Sequence, residues 1–165
     1  SANSNNFTLG GGTLTNLQDC PSNVFATMNP LDNLYFSGTF THGNNTVLSG
    51  TNSYSFCSST IHVSSGKYYW EFKVDQIQGS DPNNIMVGVL DAEQMVHTSN
   101  NGNPSGLSRG YQYHAQAGNK INNGSSSSYG AVYTAGDIVG IAVDLDNSKI
   151  YFYRSFQNNL KLFRC

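Results

Sequence analysis

The sequence predicts an all-β fold, an antiparallel β-sandwich, on three observations. Apolar residues recur with period two in several segments, which is the spacing that places alternate side chains on one face of a strand. These segments are divided by turns rich in Gly, Asn and Ser. No stretch carries the three- to four-residue apolar spacing of an amphipathic helix. Short strands at regular spacing with such turns fold as sandwiches.

The totals agree with that class. The chain has 165 residues, enough for one domain with a sizeable core. Charged residues are only 11%, but aromatics reach 12% and net charge is −2, so the low-aromatic, high-charge signature of disorder is missing. Asn, Ser and Thr take over the task of solvating the surface. A sequence pI of about 6.0 argues against a nucleic-acid binder, which needs a basic face. No apolar run approaches the roughly 20 residues of a membrane helix, so no membrane insertion is expected. The residues from Ser1 do not read as a cleavable signal peptide.

The elements follow in order. Residues 1–34 read as an N-terminal arm and lead-in, and 35–165 as the sandwich. "NFTLGGGTLTNL" is two short strands around a glycine turn, or an attachment arm. "CPSNVFATMNPLDN", broken by Pro21 and Pro30, is extended and irregular. "YFSGTFTHGNNTVLSG" is two strands around His42-Gly43-Asn44-Asn45, and "SYSFCSSTIHV" continues the alternation through Tyr54, Phe56, Ile61 and Val63. "GKYYWEFKV" is the longest strand. It sets Tyr68, Trp70, Phe72 and Val74 on one face and Tyr69, Glu71 and Lys73 on the other. The first face is a core wall, with Trp70 expected between the sheets. "NIMVGVLD" is a short apolar strand centred on Gly88, "SNNGNPSGLSRG" a loop, and "GYQYHAQAGNKINNGSSSSYG" two short strands with a serine-rich connection. "DIVGIAVDLDNSKIYFYRS" is a hairpin turning at Asp146-Asn147.

Those residues carry a resemblance. Gly66 to Val74, then Val87-Gly88-Val89, then Gly136, Asp137, Val139, Gly140, Asp144, Asp146, Ile150, Phe152 and Tyr153 are similar, in order and spacing, to the SPRY domain, the core of the B30.2 module. The likeness spans roughly residues 45 to 155. It implies a bent sandwich of two antiparallel sheets, concanavalin-like, that binds macromolecules through loops without catalysis. SPRY domains usually run on after the aromatic strand. Here "FQNNLKLFRC" offers either a shortened closing strand at Leu160 to Phe163 or none, which would leave an edge open to a neighbour. Asp19, Pro21, Asn23, Ala26, Thr27, Asn29, Pro30, Leu31 and Asp32 resemble the stretch that precedes SPRY domains in tailed-phage virion proteins. That second resemblance implies a fibre or decoration subunit located in the virion, with other virion subunits or copies of itself as partners.

Chemistry offers less. "DLDN", Asp144 to Asn147, opens like a calcium loop but lacks its central glycine and closing glutamate, so it reads as a turn and no metal is expected. His42, His62, His97 and His114 show no metal spacing, and Cys20, Cys57 and Cys165 read as free thiols, a Cys20–Cys57 disulfide being the alternative. Glu71 and Glu93 are the only glutamates, and no nucleophile elbow or phosphate loop occurs, so neither an enzyme nor a cofactor is expected. What remains is binding. The candidate residues are Arg109, Tyr111, Tyr113 and His114, with Asn83 and Asn84 in a neighbouring loop, because Tyr and Arg combine contact area with hydrogen bonding. Tyr111 and Tyr113, two apart, could equally point inward. The open function classes are a virion assembly subunit, a host-surface protein or glycan recognition module, and a peptide-recruiting adaptor.

Overall fold

The computed structural model describes residues 26–32, 34–35, 38–49, 55–77, 85–94 and 108–155. Among them the strands are β1 (Leu34–Tyr35), β2 (Thr39–Thr41), β3 (Thr46–Leu48), β4 (Ser55–Phe56), β5 (Lys67–Lys73), β6 (Met86–Leu90), β7 (Gly110–His114), β8 (Asn119–Asn122), β9 (Ser125–Ser128), β10 (Ile138–Asp144) and β11 (Lys149–Ser155). Helical geometry among the described residues is confined to two 3₁₀ turns, Pro30–Asp32 and Ala92–Gln94. Every pairing is antiparallel. β11-β10-β5 form one sheet and β6-β7-β8-β9 another, with the small pairs β1-β4 and β2-β3 beside them.

The two larger sheets meet over the core. β10 is the central strand of its sheet, so its inward residues Val139, Ile141 and Val143 are covered on both flanks and buried. Across from Ile141 stand Trp70 of β5 and Phe152 of β11. From the other sheet come Val87 and Tyr113, which face each other across β6 and β7. The Tyr113 ring stacks on Phe152 at 5.5 Å and meets Tyr133 at 5.1 Å and Tyr129 at 5.5 Å. Such ring pairs add to the area they bury. Each tyrosine also carries a hydroxyl that must be satisfied: Tyr113 donates to the Ala131 carbonyl, and Tyr133 donates to the Tyr113 carbonyl at 2.8 Å.

The face expected for "GKYYWEFKV" is the observed one, but its burial is graded. Val74 is buried, Phe72 and Trp70 are half-buried against the core, and Tyr68 is exposed. Trp70 therefore lies at the margin of the sandwich and not at its centre. The cause is topology: among the described residues β5 is an edge strand of its sheet, with a neighbour on one flank only.

The terminal hairpin turns over residues 145–148, with Ser148 at positive φ, as its Asp-Asn sequence predicts. The serine-rich connection is instead a strand, β9. Asn123 and Gly124 both take positive φ (50° and 72°), the geometry of a two-residue hairpin turn, and that turn folds Ser125–Ser128 back along β8. The serines are all exposed, so no apolar alternation marked the strand. The segment after Phe56 likewise departs from expectation: Ile61 and Val63 are exposed in irregular chain, and Tyr54 lies outside the described residues.

The described part of the lead-in is bonded to the domain. Met28 bridges Ser59, Asn29 N–H donates to Ser58 O at 2.8 Å, Thr60 N–H donates to Thr27 O at 2.8 Å, and the Ser58 hydroxyl donates to Asp32. Cys57, a free thiol, sits 3.8 Å from Met28 Sδ, and burial pushes it up to about 11, so it is an inert, packed side chain. Cys20, Cys165, residues 1–25 and the tail 156–165 lie outside the described residues.

Candidate functional site

The candidates Arg109, Tyr111, Tyr113 and His114 do not converge. Arg109, just before β7, is held by two acids, Nη1 to Asp91 Oδ2 at 2.9 Å and Nη2 to Glu93 Oε2 at 3.2 Å. Tyr111 and Tyr113 share a face of β7, but Tyr113 is a core residue and Tyr111 is exposed. His114 is half-buried opposite Met86. Tyr113 is thus unavailable to a ligand, and the inward alternative holds for it. Asn83 and Asn84 lie outside the described residues.

The acidic turn is committed to the fold. Asp144 pairs with Lys67 at 2.9 Å and accepts from Asn147 Nδ2 at 2.9 Å, and Asp146 accepts from the Gly66 N–H at 2.8 Å. Leu145 N–H donates back to Gly66 O. The turn after β10 is thereby clamped to the start of β5. The bonds from Asn147 and then Lys67 hold the Asp144 carboxyl at about 2, below its usual 3.8. The two glutamates serve different sheets: Glu71 lies on the outward face of β5, and Glu93 binds Arg109 beside β7. No group of three metal-ligating side chains occurs among the described residues.

A different surface does come together. On the outward face of β11-β10-β5, Tyr69, Ala142 and Tyr151 form one cross-strand row, and Glu71, Gly140 and Tyr153 form the next. The three tyrosines are 59%, 43% and 54% exposed. With strands about 4.8 Å apart, Tyr69 and Tyr151 rise about 10 Å from each other across Ala142. The Tyr69 ring does not stand off the sheet. Its hydroxyl end lies down on Gly140, where a Cβ would fall 2.5 Å from Oη and 3.0 Å from Cε2. That tilt lets Oη donate to Glu71 Oε1 at 2.8 Å. Desolvation under the neighbouring groups, the Glu71 bond and charge, and the Tyr153 hydroxyl together push the Tyr69 phenol up to about 12. Chemically, the face offers open aromatic rings, hydroxyls and one carboxylate over a floor of the smallest residues.

The sequence placed Tyr69 and Glu71 on the non-core face but did not join them to Tyr151 and Tyr153. The available signal was "KIYFYRS", where an inward Phe152 leaves tyrosines outward on both sides. Which of them meets Tyr69 depends on a register set 82 and 84 residues away, by subtraction of the positions.

Comparison with known proteins adds the family. The model of the SPRY domain matches residues 67–164. No curated protein matches. Among solved structures, the chain is similar to the SPRY domain of human HERC1, with a TM-score of 0.56 and 24% identity over 77% of this chain and 74% of that one, a likeness of fold.

Proposed function

The chain belongs to the SPRY domain family, whose members are interaction modules, and on that premise we propose that it is a non-enzymatic structural module of a tailed-phage virion, a fibre or decoration subunit assembling through protein–protein contacts. The observation that carries this reading is the lead-in. Residues 26–32, the described part of the stretch resembling virion proteins, are bonded to residues 58–60 through Met28–Ser59, Asn29–Ser58 and Thr27–Thr60. The described part of the lead-in is thus bonded to the sandwich, in keeping with the recurrence of the two side by side in such proteins. An Asn/Ser/Gly/Thr surface with 11% charged residues suits an exposed particle protein. The absence of catalysis is supported by the separate duties of Glu71 and Glu93.

Among the described residues β11 is an edge strand, and its free flank bears on how assembly occurs. At Phe152 the Tyr129 hydroxyl accepts from the backbone N–H at 2.9 Å and donates to the backbone carbonyl at 3.2 Å. This part of the edge is blocked to an incoming strand, which favours assembly through the arm or tail over strand addition at Phe152. Sedimentation velocity on the full chain and on a chain lacking residues 1–20 tests the proposal. The full chain should form a defined oligomer that the deletion weakens while the core stays folded. A monomer at high concentration, with a deletion that alters only binding to host cells, would overturn it in favour of the second reading. That reading, recognition of a host-surface protein or glycan, draws on the exposed tyrosines of the β11-β10-β5 face.

A further inference from the structure

We propose that the outward face of β11-β10-β5 is a saccharide-binding platform in which Tyr69, Tyr151 and Tyr153 stack on the sugar and Glu71 accepts its hydroxyls. The inference deepens the recognition reading and does not depend on the virion reading.

The packing of the core does not account for this face. Its tyrosines lie on the side of the sheet away from the core, and each leaves roughly half its surface in water. Tyrosine is suited to a boundary where one side of a ligand is apolar and the other wet. The central strand supplies only Ala142 and Gly140 between the two flanking strands, and the Tyr69 ring lies over Gly140, so the shallow trough is open at Ala142, between Tyr69 and Tyr151. Any larger residue at 140 would lift the Tyr69 ring.

The chemistry of the trough selects among occupants. A sugar ring presents C–H groups on its faces and hydroxyls around its edge. The faces match the tyrosine rings, and the edge matches the polar groups among them. Glu71 Oε1 is taken by Tyr69, and Oε2 has no partner among the described residues. Covering that carboxylate with an apolar protein surface would leave a buried charge unpaired, which is costly. A pair of sugar hydroxyls would instead satisfy it with charge-assisted hydrogen bonds. Of the lysines at the rim, Lys67 pairs with Asp144 at 2.9 Å and Lys73 with Asp75 at 3.0 Å, and Lys149 stands two rows from Glu71 on β11. The carboxylate at the trough favours a neutral saccharide over an acidic one.

The test uses the full chain with neutral gluco-, manno-, galacto- and N-acetylglucosamine oligosaccharides at millimolar concentration, read by amide NMR. Binding by at least one series should shift amides of residues 69–71, 140–142 and 151–153. Tyr69→Ala and Tyr153→Ala should each weaken it about tenfold or more, a loss of about 1.4 kcal/mol per factor of ten. Glu71→Gln should weaken it as well, and Tyr69→Phe less than Tyr69→Ala. All are surface changes, so melting temperatures should stay close to the parent's. No shifts with any series, or shifts unaltered by Tyr69→Ala and Tyr153→Ala, would overturn the proposal. So would a concentration-dependent dimer that disperses in those two variants, since it would make the face a contact between copies of the chain. That last result would leave the interaction-module reading intact.

Discussion

Two glycines separate what holds this domain together from what it displays. Both lie within strands, and at neither is φ positive. At Gly88 an added Cβ would fall on the Tyr111 carbonyl oxygen and 2.8 Å from Gln112 Cα, all backbone of the paired strand. Gly88→Ala can be accommodated only by parting β6 from β7, beside the buried Val87–Tyr113 pair. Overpacking of this kind costs about 1–3 kcal/mol or somewhat more. The favourable effect of Gly→Ala on the unfolded chain, about 0.4–1 kcal/mol, offsets little of it. At Gly140 the nearest atoms belong to the free end of Tyr69. That ring can swing away, losing one exposed hydrogen bond worth about 0.5–1.5 kcal/mol, and the same unfolded-state term nearly cancels the loss. Urea titrations should therefore show Gly88→Ala clearly destabilised, with Tm lower by about 2–4 °C for each kcal/mol, and Gly140→Ala close to the parent. Equal destabilisation by the two, or a neutral Gly88→Ala, would refute the reasoning.

Other expectations follow from the same contacts. Trp70→Ala should cost near the lower end of about 3–5 kcal/mol, because the ring is half-buried at an edge strand; chemical denaturation checks it. Asp144 ionises lower in the folded chain than its usual 3.8, so its contribution is present above that pH and is lost as pH falls through about 2; the stability gap between the parent and Asp144→Asn should narrow with acid. Calcium should leave Tm unchanged, since Asp144 and Asp146 are bound to Lys67, Asn147 and Gly66; a calcium-dependent rise would contradict this. Glu71→Gln should lower the Tyr69 ionisation from about 12 toward the usual 10, as read by ultraviolet titration against a Tyr69→Phe control.

What the sequence revealed and what it hid divide by range. Tyr68, Trp70, Phe72 and Val74 announce their shared face through local alternation, and the hairpin from Ile138 to Ser155 announces its turn through Asp-Asn. β9 was hidden because four serines have no apolar face to alternate, although Asn123-Gly124 marked the turn before it. Tyr111 and Tyr113 have the same period and opposite fates, since alternation assigns the face of a strand but not the depth of cover over each residue. The tyrosine face was hidden for a stronger reason. Tyr69, Tyr151 and Tyr153 become neighbours only through the register of β5 and β11 on β10, which no local pattern specifies.

The tyrosines divide into two sets, one building the core and another forming the displayed face. Nitration of the native protein followed by peptide mass spectrometry tests that division directly. Tyr151 and Tyr153 should be modified readily, and Tyr69 more slowly because its phenol is held protonated beside Glu71, while Tyr113 and Tyr133 stay unmodified until the domain unfolds; a bound oligosaccharide should protect the exposed set. Modification of Tyr113 or Tyr133 at the rate of Tyr151 and Tyr153 in the native state would contradict both the core and the face derived from it.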